Sequence, residues 1–545
     1  MLSSCFMSRS FNGTGVPNSR SLSTGLGGVV GFFLWIHCAT VSAQSQQSVA
    51  PPALQTTTQI APQYAAQASP PPPAQADLLQ ISLEDLMNIK VTSVSKTEQK
   101  MSRAAAAIFV ITREDINRSG ARRIPDLLRM VPGLDVSQIN DNTWSVSSRG
   151  FNQQFTNKLL VLIDGRAVYS PLLGGVNWDT QDVPLDDIDR IEVIRGPGAA
   201  IWGANAVNGV INIVTKSASE TKGGLITAGG GTEGQAQSTA QYGGTFHGAT
   251  SYRIFTKYLN QGSLPGLDGG SGSDTWHLLH GGFRTDTQIS KKDSLTVQGD
   301  LYTGAEGAGI IHIFSVDPPV IGNEDVITSL SGGNILGRWN HTFSNGSDTS
   351  LQFYFDNYKR DGPESNEERN TIDFDFNHHF AWGSRQDVVW GVGYRRTWDH
   401  VIGTIDQDFN SPDTSLELFN FFVQDPITLD PDRLFLTIGT KLENGYFTSY
   451  GLEPSVRLAW TPENWLTLWS AVSRAERSPA GTLNWWWDLR SFPIPEGRAH
   501  RWKRYYSAIR KFCPSTSSPM RRDSARSQTS IFPLMCRRFS IATII

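Results

Sequence analysis

The sequence predicts a mixed fold, a small α+β domain followed by a large antiparallel β barrel that crosses a membrane. Three observations carry this reading. From Gly223 to about Arg490 the chain runs in strands of roughly ten residues whose apolar and polar positions alternate. The connections between those strands are short at one end and long at the other, the pattern of a spanning barrel. After residue 43 no apolar run approaches the roughly 20 residues that a spanning helix needs, so any crossing must use strands.

Composition narrows the class further. Only 18% of the 545 residues are charged and 10% are aromatic, which excludes disorder over most of the chain. The net charge of -4 averages two unlike pieces: 498–545 holds 11 Lys and Arg against one acid, which leaves residues 1–497 at -14. An acidic body argues against a nucleic-acid partner. The four cysteines, Cys5, Cys38, Cys513 and Cys536, all lie near the ends. A disulfide scaffold, a thiolate zinc site and a cysteine nucleophile are therefore excluded between them.

In chain order, Arg9 and Arg20 precede an apolar stretch over 26–39, and Val41, Ser42 and Ala43 supply a cleavage site. Residues 1–43 read as a secretory signal with Gln44 as the mature start, because 14 apolar positions interrupted by His37 are too few to span. Residues 44–76, rich in Gln, Ala and Pro, form an extended tether. Residues 77–222 read as the α+β domain. A strand over 108–112 leads into a helix capped by Thr112, with Glu114 and Asp115 in its first turn and Gly120 as its stop. A second helix starts at Pro125 and ends at Pro132-Gly133. Strands follow over 145–150, 158–164, 188–196 and 210–215. The unbroken apolar run Leu159–Ile163 predicts burial on both faces.

The barrel segment, 223–490, shows its alternation most clearly at 371–377, where Ile372, Phe374 and Phe376 share one face and Asp373, Asp375 and Asn377 the other. Val388, Trp390, Val392 and Tyr394 share a face, as do Leu351, Phe353 and Phe355. Tight turns are expected at 290–293, 344–348, 383–386, 430–432 and 461–464, and long loops at 303–329, 359–370 and 399–414. Trp382, Trp398, Trp460 and Trp465 lie near strand ends and fit interfacial girdles. Arg149 and Arg195 sit beside apolar strands, and a buried guanidinium needs a carboxylate; Asp164, Glu192 and Asp189 are the near candidates.

The run DIDRIEVIRGPGAAIWGANAVNGVINIVTK over 187–216 closely resembles the C-terminal end of the plug domain of TonB-dependent outer-membrane receptors. Ser148-Arg149-Gly150, and the stretch from Leu160 through Asp164 to Gly165, resemble the same family, as does the order of signal, tether, plug and barrel. The resemblance covers about 80–490. It implies import of a scarce ligand of the ferric siderophore or cobalamin class, with the outer-membrane lipid around the barrel and the inner-membrane TonB complex supplying energy. It also implies a TonB box, matched here by Ile89, Lys90, Val91, Thr92, Ser93, Val94 and Ser95. A β-branched segment without proline after a tether suits strand addition; a first strand of the plug itself is the alternative. The resemblance makes Arg149, Asp164, Glu192 and Arg195 candidates for locking plug to barrel, against simple fixation of the core. It places ligand contacts on outward tips at 151–157 and 169–180, through Asn152, Gln153, Gln154, Tyr169, Asn177 and Trp178.

No catalytic constellation, cofactor site or metal site is expected, so the chain is not read as an enzyme. The GGGTEG run at 229–234 precedes a strand where a dinucleotide loop needs a helix. His378 and His379 point to opposite faces of a strand and cannot chelate together. The segment Trp485 to Trp487 reads as an interfacial belt or loop rather than a sugar platform. About 13 strands are expected over 223–490, against about 22 in plugged transporters. The tail 491–545, without glycine after 497, leads to the expectation of a changed reading frame near 490–500 and a truncated, non-functional product. A secreted all-β glycan-binding protein and a phage or bacteriocin receptor stay open beside the importer.

Overall fold

The computed structural model describes residues 90–480 except 98, 267–268, 317–318, 364, 404–410, 432, 446–447, 464–465 and 479, together with 540–543. The segments expected to be signal and tether, Ile89, Trp465, Trp485 to Trp487 and most of the basic tail lie outside the described residues.

The inner domain opens with β1 (Lys90–Val91) paired to β2 (Gln99–Lys100). Strand β3 (Ala107–Thr112) feeds helix α1 (Arg113–Ser119). Thr112 caps it in a reciprocal box with Asp115, and Gly120 closes it with φ 67°. Pro125 opens α2 (Ile124–Leu128), whose buried face carries Ile124, Leu127 and Leu128. Then β4 (Leu134–Gln138) pairs with β5 (Trp144–Ser148). The central sheet adds β6 (Leu159–Ile163), β7 (Arg166–Ala167), β8 (Ile188–Arg195) and β9 (Gly209–Thr215), in the order β3-β8-β9-β6-β7. All five residues of β6 are buried, and β6 runs parallel to β9. Ile111, Leu127, Ile191, Val193, Ile211 and Ile213 form the core between this sheet and the helices. Helix α3 (Ala199–Trp202) and strands β4 and β7 are additions to the expected elements; each is short, and β4 and β7 pair with their neighbours in sequence, β5 and β6.

Around this domain runs, among the described residues, an antiparallel meander of thirteen strands, the number expected over 223–490, each pairing with the next. They are β10 (Gly223–Gly229), β11 (Ala236–Phe246), β12 (Thr250–Gln261), β13 (Trp276–Gln288), β14 (Asp293–Val316), β15 (Pro319–Thr342) and β16 (Asp348–Asp361). The series continues with β17 (Ser365–Trp382), β18 (Gln386–Gly403), β19 (Asp413–Asp430), β20 (Leu434–Gly445), β21 (Thr448–Glu463) and β22 (Leu466–Arg474). A four-residue strand, β23 (Ser540–Thr543), pairs with β22. The short turns expected at 290–293, 344–348 and 383–386 separate consecutive strands, with Gly346 and Gly383 at φ 84° and 70° inside two of them, whereas β21 runs on through 461–463.

Two expected loops are strands instead. Residues 303–316 and 319–329 continue the β14–β15 ladder to the Val316↔Pro319 pair, and the ladder between β16 and β17 runs to Asp361↔Asn366. Gly304, Gly307 and Gly309 are absorbed by the ladder, with Pro319 as the first residue of its strand, where a missing N–H is tolerated.

The alternation is inverted relative to a soluble sheet. Arg253, Lys257, Gln352, Asp373 and Lys441 point inward and are buried, while Ile226, Leu301, Phe353, Phe374 and Val472 face out and are exposed. A polar interior behind an apolar exterior is the arrangement of a wall set in lipid. Trp382, Trp398 and Trp460 are exposed near the ends of their strands. Among the described residues no helix is long and apolar enough to cross a membrane.

Candidate functional site

The inner domain meets the wall along a polar seam, because both faces carry charge where an ordinary core would be apolar. Acids of the inner domain pair with wall cations: Asp182 lies 2.6 Å from Lys257 Nζ, Asp187 lies 3.3 Å from Arg253 Nε, and Asp179 pairs with Arg360. The signs reverse on the other side, where Lys96 Nζ is 2.8 Å from Asp375 and Arg166 Nη1 is 2.5 Å from Asp356. Backbone groups join in. Ala204 N–H donates to Glu443 and Ala218 N–H to Asp286, each at 2.7 Å, while Lys441 Nζ donates to Ile201 O at 3.2 Å. The buried charges among these, such as Asp182, Asp187, Arg253 and Lys257, therefore each have a partner across the seam, which burial demands.

Burial tunes several of these groups. It pushes the Asp187 carboxyl up to about 6 against the pull of Arg253 and Lys216, and Asp141 likewise to about 6 against Arg123. Lys96 is lowered by burial despite Asp375. Burial would raise Asp164, but the Arg284 guanidinium and the Thr215 donors outweigh it and hold that carboxyl below its usual value.

Of the expected locking residues, Asp164 bridges to the wall among the described residues. Its oxygens accept from Thr215 N–H at 2.8 Å, Thr215 Oγ1 at 2.7 Å and Gln298 Nε2 at 2.9 Å, with Arg284 Nη1 at 4.0 Å. Its backbone carbonyl accepts from Arg338. Glu192 is fully buried but stays inside the domain. It accepts from Arg190 Nε at 2.8 Å, Thr92 N–H at 3.0 Å and Ser93 N–H at 2.8 Å. Arg149 and Arg195 correct the expectation of buried, carboxylate-paired guanidinia. Arg149 is exposed at φ 63°, and Arg195 Nη1 donates to Pro132 O at 2.6 Å, so neither reaches the wall among the described residues. The pairs that do cross went unnoticed, although charged residues at inward positions of dyad strands, such as Arg253 and Lys257 on β12, were the signal.

The segment Ile89 to Ser95 is not one strand. Lys90 and Val91 pair with β2, and the chain then turns, with Lys96 N–H donating to Thr92 O at 2.9 Å. Val91, Ser93, Val94 and Ser95 are buried. Of the candidate ligand contacts, Asn152, Gln153 and Gln154 lie on an exposed loop, with Asn152 accepting from Ser147 Oγ and the Gln153 carbonyl from Ser145 Oγ at 2.7 Å. Asn177 Nδ2 donates to Tyr358 Oη on the wall at 2.9 Å. Trp178 packs in the core and presents no free face, because the turn of Trp178–Thr180 points it inward. Tyr169 lines a cavity of about 870 Å³ between β6 and the wall strands β15 to β20. The cavity extends from Thr342 and Asp348, beside the short turns, to Tyr169 and Pro171. Tyr169 Oη, Tyr354 Oη and Asn420 Oδ1 are buried on its surface without a partner, a lining suited to water.

The TonB-dependent receptor plug domain family matches residues 100–210. The vitamin B12 transporter BtuB of Vibrio vulnificus is 35% identical over 150 residues, which are 27% of this chain and 24% of that protein. The BtuB protein of Photobacterium profundum is 34% identical over 152 residues, 28% of this chain and 24% of the relative. The chain thus matches about a quarter of the length of these curated relatives. The fold is similar to that of the siderophore receptor PirA of Pseudomonas aeruginosa, with TM-score 0.52 and 20% identity over 68% of this chain and 62% of that one. It is also similar to the ferripyoverdine receptor of the outer membrane of the same organism, with TM-score 0.55 and 15% identity over 72% of this chain and 60% of that one.

Proposed function

We propose that this chain, whose plug domain and fold are those of the TonB-dependent receptors, serves in outer-membrane import of a ferric siderophore or cobalamin, driven by the inner-membrane TonB complex. The observation that carries the reading is the seating of the plug. It sits inside a polar-lined wall on paired charges and hydrogen bonds, a seam that can be remade by exchange with water, whereas an apolar interface of the same extent would resist parting. The cavity beside β6 already brings water-suited groups to the base of that seam.

The names of the relatives supply the ligand classes, since BtuB is a vitamin B12 transporter and PirA a siderophore receptor. In this reading residues 1–43 direct export, Ile89 to Ser95 pair with TonB as an added strand, and the exposed loop carrying Asn152, Gln153 and Gln154 meets ligand from outside, with Tyr169 and Asn177 below it. The Trp178 indole positions that tip from within. Arg195 braces the plug from within through the Pro132 carbonyl.

Uptake of radiolabelled cobalamin and of ferric siderophores, in cells with this chain as sole receptor, tests the reading. Energy-dependent accumulation of one class, lost when TonB is deleted, is the expected result. Accumulation of neither class, or accumulation that persists without TonB, would overturn it.

A further inference from the structure

The cavity beside β6, about 870 Å³, has the size of a small-molecule site. On β12 to β14 the wall closes on the plug instead: Trp276 meets Trp144 edge-on with ring centres 5.9 Å apart, and Leu259, Leu278 and Tyr302 join the plug core. Facing β15 to β20 the plug stands off, and Leu160, Leu162 and Asn212 of its sheet bound the space. Two features of the lining define what fits there. Its charges are already matched. Asp373 accepts from Arg395 Nε at 2.8 Å, Asp375 lies 2.8 Å from Lys96 Nζ, Glu443 lies 3.5 Å from Lys441 Nζ, and Arg338 donates to Gln352 Oε1 at 2.6 Å. An entering anion would lose its water without meeting a cation that is not engaged, and burial makes that costly. Hydrogen-bonding capacity, by contrast, is left over. Tyr169 Oη, Tyr354 Oη and Asn420 Oδ1 are buried without a partner among the described residues, and Tyr354 and Asn420 are only 1% and 9% exposed. A tyrosine hydroxyl donates to a carbonyl and the asparagine oxygen accepts an N–H, so the pair complements a carboxamide, which carries one of each.

From this we propose that the cavity is an internal binding site, separate from the outward tips, for a neutral ligand rich in carboxamide groups, with Tyr354 and Asn420 as its specificity-determining contacts. The proposal deepens the import reading and rests on it. Of the two ligand classes named there, a neutral, amide-bearing cobalamin fits this lining, whereas a trianionic ferric tris-catecholate does not.

Thr371, on β17 in the same lining, provides a reporter. Thr371→Cys, in the purified full chain in detergent, is labelled with a small maleimide. The rate is read by mass spectrometry on the peptide carrying residue 371, which sets it apart from the four native cysteines. Millimolar cyanocobalamin should slow labelling about fivefold or more, as a site filled at several times its dissociation constant would, and a ferric tris-catecholate should not. Adding Tyr354→Phe or Asn420→Leu should cut that protection to under about twofold, a loss that a ligand held only at the outward tips would not feel. Both variants should melt no earlier than their parent, because each removes a buried polar atom that the fold leaves unpartnered. Absence of protection by cyanocobalamin would mean that water alone fills the cavity, and overturns the proposal. Equal protection by the tris-catecholate, unchanged protection in both variants, or earlier melting of both also overturns it. Cellular uptake separates the two readings. Protection without TonB-dependent accumulation leaves the internal site standing and removes the import reading, whereas accumulation without protection removes the internal site alone.

Discussion

Lys96 leaves the plug just after the turn at 92–95 and places its ammonium 2.8 Å from Asp375 on β17 and 4.7 Å from the centre of the Phe422 ring on β19. A desolvated cation between a carboxylate and an aromatic face is held by both, and removing either ion strands the other. Lys96→Met alone should destabilise plug seating by about 3–5 kcal/mol, and Asp375→Asn by a similar amount. The double variant should cost less than their sum, since it buries no lone charge. Urea unfolding of the four proteins in detergent checks this, and strict additivity would show that the two groups do not interact.

Asp164 sits at φ 51° and gathers Thr215, Gln298 and Arg284 at the base of the plug. Asparagine tolerates that left-handed backbone and can still accept from Thr215, whereas alanine does neither. Asp164→Asn should therefore cost about 1–2 kcal/mol and Asp164→Ala about 3 kcal/mol or more. The ranking is the test, and equal losses would place the effect in charge alone.

How far the sequence reveals this molecule depends on the range of the interaction. The capping of α1 by Thr112 and Gly120, the double burial of Leu159–Ile163 and the shared face of Asp373 and Asp375 follow from local chemistry and a period of two, and all were legible. The pairing of Asp182 with Lys257 is set by how an inner domain is threaded through a wall, 75 residues away in the chain, and no local pattern records it. At 303–329 strand replaces the expected loop, because a continuous cross-strand ladder outweighs the weak strand preference of its glycines. Arg149 and Arg195 misled for a related reason. Neighbouring apolar strands signal a core, but not on which side of it a long side chain emerges.

Acid should tighten the plug through Asp187. Its folded carboxyl titrates at about 6, above the value of about 3.9 for an unfolded chain, so the native state binds the extra proton. The contribution is fully present below about pH 3.9 and is lost as pH rises through 6, amounting to roughly 2–3 kcal/mol between those limits. Asp187→Asn should flatten this part of the profile. Melting temperatures of both proteins between pH 4 and 7 check it, with other carboxylates titrating in common to the pair. An unchanged difference between the two proteins across that range would contradict the assignment.

The last expectation concerns Gly203, which follows α3 with φ 84°. A Cβ there would lie 1.9 Å from Glu443 Oε1 and 2.6 Å from its carboxyl carbon. Glu443 cannot simply swing aside, because its other oxygen accepts the Ala204 N–H at 2.7 Å and its carboxylate lies 3.5 Å from Lys441 Nζ. Gly203→Ala must therefore strain the backbone and also break a buried hydrogen bond, a combined loss of about 2–4 kcal/mol. The effect should be local to the contact of α3 with β20. Limited proteolysis should show faster cleavage within 198–208 while the peptide covering β6 stays intact. Pairing the change with Glu443→Ala removes the clash, so Gly203→Ala should cost less in that background; an equal cost in both would locate the strain in the left-handed backbone alone.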